Sequence, residues 1–169
     1  MFILEVFKEL PLISENFLYR PRAAKSASGK SYGYLYKDPV VADYQEKIAT
    51  EFKSTFMDGS LPPKDMVCSI ISFYVFGVHP DRFFSRDLTN MIKATEDAIF
   101  SALPYDDSMV TCILERKIPS DTDFVFVKIG IITSVEDSDI DLAIQLANSE
   151  RWNDYFIGKR GGTDGWEHG

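Results

Sequence analysis

The segment Arg86 to Val110, RDLTNMIKATEDAIFSALPYDDSMV, concentrates the residue types that can act on a phosphate. At 100° per residue, Leu88, Met91, Ile92, Thr95, Ala98, Ile99, Ala102 and Leu103 form one apolar arc. Asn90, Lys93 and Asp97 line the opposite side, with Thr89 and Glu96 alongside. Asp87 stands where an N-cap carboxylate would, and Asp106-Asp107 opens the next strand. Taken singly, each has an ordinary structural explanation: a helix cap, a solvated turn, a solvated lysine. Taken together they are separated carboxylates with a lysine between them and two arginines, Arg82 and Arg86, just upstream. Carboxylates suit a hard, oxygen-seeking ion such as Mg²⁺, and a lysine beside them suits a phosphate oxygen. A helix of roughly 16 residues is about 24 Å long. Asp87 and Asp106-Asp107 can therefore approach each other only if the following strand runs back along the helix.

A second region carries charge of the opposite sign. Residues 17–37 contain Arg20, Arg22, Lys25, Lys30 and Lys37 and no acid, interleaved with Tyr19, Tyr32, Tyr34 and Tyr36. Cations can neutralise phosphates and tyrosines can stack on exposed bases. Packing of the tyrosines on a domain edge is the plainer alternative. Gly29-Lys30-Ser31 does not complete a phosphate-binding loop, because Ala24 occupies the required glycine and no strand is expected to lead into it. No nucleotide cofactor is expected.

These segments need elements to hold them. Residues 1–8 read as a first strand, and 12–38 as irregular, with a mobile loop at 23–31. Pro39 suits the first turn of a helix whose apolar face is Val41, Tyr44, Ile48, Phe52 and Phe56. Residues 66–78 form a uniformly apolar strand. The motif helix follows, and then strands 108–118 and 123–133, read as an antiparallel hairpin closed by Pro119-Ser120-Asp121-Thr122. A third helix near 137–148 would place Ile140, Ala143, Ile144 and Ala147 on one side. The order predicts a single α+β domain, a mixed β-sheet with helices packed on it. Its expected extent is 1–157, including the basic loop 17–37 and a C-terminal helical extension at 134–157, with a flexible tail at 158–169.

Composition bounds the rest. The 169 residues include 23 aromatics, ample for a core. Cys68 and Cys112 are expected as buried thiols in a reducing compartment, and His79 and His168 are too few for a zinc pattern. No apolar run is long enough to span a bilayer, and no secretory leader pattern opens the chain, so no membrane partner is expected and the expected location is cytoplasmic. The formal charge of −8 argues against DNA only if it is evenly spread. Five of the 18 cations lie in 17–37, leaving 13 against 26 acids, or −13, for the remainder.

The pattern R-D-x-x-N-x-x-K-x-x-x-D-A followed by D-D-S-x-V resembles the RusA family of Holliday junction resolvases. It rests on Arg86, Asp87, Asn90, Lys93, Asp97, Ala98, Asp106, Asp107, Ser108 and Val110. Leu10-Pro11, Ser14, Asn16 and Tyr19 are more loosely similar to the family's opening loop. The resemblance implies a RusA-like fold and a homodimeric, Mg²⁺-dependent endonuclease, with Mn²⁺ as substitute. Its expected substrate is four-way junction DNA, in recombination and repair within a bacterial or phage-infected cell. On that footing Asp87, Lys93 and Asp107 are the expected catalytic residues, and Asp87, Asp107 and Asp106 the metal ligands. Asn90, Thr89 and Asp97 would support them, and Arg20, Arg22, Lys25, Lys30, Lys37, Arg82 and Arg86 would bind DNA. Thr89 stands where the family's best-known form has a second Asp. Either it acts through water, or Asp106, Glu96 or Asp97 supplies the charge, or activity is weak. The competing readings are a branched-DNA-binding protein of the same fold with weak or lost catalysis, and a nuclease for flaps or forks.

Overall fold

The computed structural model describes residues 1–13, 19–57, 59–134 and 139–148. Its framework is a four-stranded sheet in the order β1 (Phe2–Glu9), β6 (Phe124–Ile132), β4 (Ser69–Val78), β5 (Val110–Pro119). β6 is antiparallel to both β1 and β4, whereas β5 runs parallel to β4. The result is the expected mixed α+β sheet, with β4 at its centre. Every residue of β4 is buried, Ser69 and Ser72 included, as its predominantly apolar sequence implies.

Two helices cover one face. α1 (Pro39–Lys53) begins with Pro39 in its first turn and Asp38 as N-cap, whose carboxylate accepts from the Val40 amide at 3.0 Å. Val41, Tyr44, Ile48 and Phe52 are buried as the three- and four-residue spacing predicts, while Phe56 lies beyond the helix and is partly buried. α2 (Leu88–Ala102) packs beside α1, burying Met91, Ile92, Ala94, Thr95, Ala98 and Ile99. Two polar clasps fix their register: Tyr44 and Thr95 share a hydroxyl hydrogen bond of 2.7 Å, and Gln45 Nε2 donates to the Ala94 carbonyl at 3.0 Å. Buried polar groups must be paired, so these clasps specify one helix pairing among those that apolar packing alone would allow.

The other face carries Ile71, Phe73, Val75, Phe124, Phe126 and Ile132, against which Ala143 of α3 (Asp139–Asn148) packs. The adjacent Ile144 is 50% exposed, so the predicted apolar side of this helix is narrower than its sequence implied. The side chains of Ile140 and Ala147 lie outside the described residues, as do 149–169 with the remainder of the expected extension and the tail. Lys128 is buried on this face and pairs across the strands with Glu5 at 3.4 Å.

Three expectations need correction. Strands β5 and β6 do not form a hairpin; they flank β4 on opposite sides. Two strand spacings are about 10 Å, which the link 120–123 spans easily. The Ser120 amide donates to the Val78 carbonyl at 3.0 Å, so the link crosses the end of β4 and closes no turn of its own. The expected mobile loop is instead a regular antiparallel hairpin of β2 (Tyr19–Lys25) and β3 (Ser31–Lys37). Alternating Tyr32, Tyr34 and Tyr36 is a period-two strand signal. Between the strands, Ser26 and Lys30 close a turn in which Gly29 takes φ +80°, a conformation glycine adopts without strain. Finally, Cys68 is exposed and Cys112 only partly buried, both as free thiols. Cys68 lies just before β4, ahead of the buried run, and Cys112 lies on edge strand β5, where burial alternates.

Candidate active site

α2 brings the motif together. Asp87 caps it, its carboxylate accepting from the Asn90 amide at 3.3 Å, so Asn90 meets Asp87 through its backbone. The carboxylate itself is exposed, with lone pairs to spare beyond the cap bond. One and a half turns on, Lys93 Nζ lies 3.2 Å from Asp97 Oδ1 and 3.8 Å from Asp107 Oδ2. The i, i+4 pairing of Lys93 with Asp97 follows from helix geometry. The contact with Asp107 requires the tertiary fold.

The turn 107–109, just ahead of β5, supplies that contact. β5 is parallel to β4, with α2 as the crossover between them, so it runs back along the helix and carries Lys117, rather than Asp107, to the level of Asp87. Its entry is pinned by Tyr105, which is buried and donates its hydroxyl proton to the Pro62 carbonyl at 2.7 Å. Asp106 then caps the short turn 107–109 by accepting from the Ser108 amide at 3.0 Å. The hydrogen bonds from Ser108 hold the Asp106 carboxyl below the usual carboxylate range, so it stays ionised. Asp107 lands opposite Lys93 and Asp97. Six residues of helix, about 9 Å, separate the level of Lys93 from Asp87.

The electrostatics centre on Lys93. Its hydrogen bond to Asp97 holds the ammonium above its ordinary pKa, and the charges of Glu96 and Asp107 reinforce this against partial burial. Half-burial pushes the Glu96 carboxyl upward; Lys93 opposes the shift, while Asp107 and Asp97 add to it. Glu96 and Asp97 are thus the acidic neighbours of the Lys93–Asp107 pair. Thr89, in the first turn, is exposed, and Asp106 is occupied as a cap. Among the described residues, no three Asp, Glu, His or Cys side chains are grouped closely enough to hold a metal ion by themselves.

The N-terminal end of α2 rests on residues that the motif did not reveal. Lys117 of β5 donates from Nζ to the carbonyls of Phe83 and Arg86, each at 2.7 Å, and lies 4.6 Å from the Phe83 ring centroid. Buried Asp123 accepts from the His79 amide at 3.0 Å and the Leu12 amide at 3.4 Å, and pairs with Arg82 at 3.1 Å. It ties together the chain after β1, the end of β4 and the loop leading to Asp87. Lys117 lies in β5 and Asp123 at the end of the link between β5 and β6, so no local spacing marks either. Arg82, expected at the DNA, already has Asp123 as its partner. Lys25, Lys30 and Lys37 are exposed on the β2–β3 arm. Arg20 and Arg22 stand in register with Tyr36 and Tyr34 there.

None of the described helices is long and apolar enough to cross a membrane. No curated protein sequence matches the chain. A family model, Endodeoxyribonuclease RusA, matches residues 19–130, which contain the basic arm, Asp87, Lys93, Asp106 and Asp107. The match covers more than half of the chain, and the chain belongs to the RusA endodeoxyribonuclease family.

Proposed function

We propose that this endonuclease resolves four-way DNA junctions as a homodimer, by Mg²⁺-dependent phosphodiester hydrolysis in recombination and repair. The observation that carries the reading is the placement of Lys93 against Asp107, on a helix capped by Asp87, inside the family-matched span. The donor chemistry suits the metal, although these carboxylates form no grouped set among the described residues. Mg²⁺ retains several waters and is held through one or two carboxylates together with substrate phosphates, and exposed Asp87, Asp107 and Asp106 offer that chemistry without a closed cage. Mn²⁺ would serve the same oxygens. When bound, the ion supplies Lewis-acid polarisation and a more acidic water.

The chain's own residues do the rest. Asp87 and Asp107, with Asp106, present the oxygens. Lys93, kept protonated by Asp97, offers its ammonium to the scissile phosphate and to the charge that develops on it. Asn90 fixes the Asp87 carboxylate through its amide. The β2–β3 arm carries Arg20, Arg22, Lys25, Lys30 and Lys37 to the phosphates of the junction arms, with Arg86 beside the site. A substrate with two-fold symmetry suits a symmetric pair of subunits. The expected setting is the cytoplasm of a bacterial or phage-infected cell.

Asp87→Asn and Asp107→Asn test the assignment. Each should abolish cleavage of a four-way junction in Mg²⁺ while leaving its gel shift within a few-fold of the parent protein. Full cleavage by either variant refutes the assignment of that carboxylate. Thr89, with no third ligand grouped nearby among the described residues, favours a second reading: a branched-DNA-binding protein with weak catalysis. A parent protein that shifts the junction but leaves it uncut in Mg²⁺, as in EDTA, would establish that reading. Forks and flaps cut faster than the junction would instead establish a nuclease of different specificity.

A further inference from the structure

Phe84 is 96% exposed, three residues before Asp87. A lone apolar side chain on a surface is ordinary. What distinguishes this one is the loop that holds it. The Phe83 and Arg86 carbonyls on either side of Phe84 and Ser85 both accept from Lys117 Nζ. The Ser85 hydroxyl and amide both donate to the Arg82 carbonyl, at 3.0 and 3.1 Å, and Arg82 is in turn anchored on Asp123. Beneath it, the half-buried Phe83 ring lies under the Lys117 ammonium and meets Phe84 edge-on, with centroids 5.4 Å apart. The ring is thus presented to solvent on a braced support whose backbone ordering is complete before anything binds.

Its neighbours narrow the ligand. Arg86 and Lys117 flank it, Arg82 being neutralised by Asp123, and Asp87 is within three residues, about 10 Å of extended chain. A flat apolar face beside these two cations and next to a phosphate-cleaving centre matches one chemistry, a nucleobase with its stacking face free. Continuous duplex has few such faces; a branch point offers them. We propose that Phe84 is a stacking wedge that takes the face of a base at the DNA branch point, and so brings the adjacent phosphodiester to Asp87 and favours branched DNA over linear duplex. The proposal rests on the DNA-cleaving reading of this site.

The test uses the full chain in EDTA, with a four-way junction carrying 2-aminopurine at the branch point and a linear duplex of the same sequence. The parent protein should bind the junction and change the 2-aminopurine fluorescence. Phe84→Ala should weaken junction binding roughly 5- to 100-fold, the range set by losing one base–aromatic stack. It should leave duplex binding and the melting temperature unchanged and lose the fluorescence change. Phe84→Trp should restore both, and Phe84→Leu, apolar but without a ring, should not. The wedge is overturned if Phe84→Ala binds the junction within twofold of the parent with the same signal. It is equally overturned if junction and duplex binding fall together, or if leucine rescues as well as tryptophan. A parent protein that binds neither DNA refutes the proposed function, and the wedge falls with it.

Discussion

Asp123 is the position where one atom group closes three chain segments, and Asp123→Ala should show it. Its carboxylate is 5% exposed and satisfies the amides of His79 and Leu12. Hydrogen bonds to a charged group contribute about 1.5–3 kcal/mol each, and a buried donor left unpaired costs about 1–3 kcal/mol. The His79 bond at 3.0 Å counts fully. The Leu12 contact at 3.4 Å is long, but Leu12 is itself buried, so water cannot easily replace the acceptor. The Arg82 pair adds at most about 1 kcal/mol, because the guanidinium is 45% exposed and rehydrates. The loss should total about 3–5 kcal/mol, against a stability of about 5–15 kcal/mol for an ordinary domain. At about 2–4 °C per kcal/mol for a chain of this size, the melting temperature should fall by roughly 6–20 °C. Urea denaturation followed by circular dichroism measures the free energy directly. Asp123→Asn, which retains one acceptor, should fall between, and Arg82→Met should lie within about 1 kcal/mol of the parent. A loss below about 1 kcal/mol in Asp123→Ala, or a larger loss in Arg82→Met than in Asp123→Ala, would refute the view that the carboxylate acts through the two amides.

Two further predictions follow from single contacts. A Cβ at Gly77 would stand 1.9 Å from Cε1 of Phe124, its cross-strand partner, whose ring is buried against the second face of the sheet. Gly77→Ala should therefore cost about 1–3 kcal/mol by overpacking, and Gly77→Ala with Phe124→Leu should recover part of that loss in the same urea assay. The Glu96 carboxyl is held above its ordinary pKa, so the folded protein binds that proton more tightly than the unfolded chain does. The associated stability is fully present below the unfolded pKa of about 4.3 and is lost as pH rises through the folded value. Glu96→Gln should accordingly raise the melting temperature slightly at pH 7, a gain that disappears below about pH 4. A gain of equal size at both pH values would show that burial of charge is not the cause.

The parts of the site legible in the sequence are those whose physics is local. A 3.6-residue period assigns the buried arc of α2, an aspartate before it becomes its cap, and four residues on one helix face bring Lys93 to Asp97. The motif residues stood out because types suited to metal and phosphate recur at those spacings. The basic segment was legible as charge but not as structure. Its small residues suggested a loop, whereas the tyrosine alternation and the turn at Gly29 make a hairpin.

Strand partnership was not legible, because a strand's sequence reports how many of its faces are buried and not which neighbour lies beside it. Four residues between β5 and β6 permit a hairpin and also permit a step across β4. The choice falls to the packing of α2 between β4 and β5 and to the bonds at the end of β4. That choice is also what delivers Asp107 to Lys93 and Lys117 to the loop before Asp87. Sequence alone determined the chemical types and the helix that presents them, because propensity, capping and periodicity act within a few residues. Tertiary structure decided which carboxylate faces the lysine and what braces the loop carrying Phe84. Those contacts join residues 14 to 34 positions apart, and only a folded sheet brings such residues within a hydrogen bond of each other.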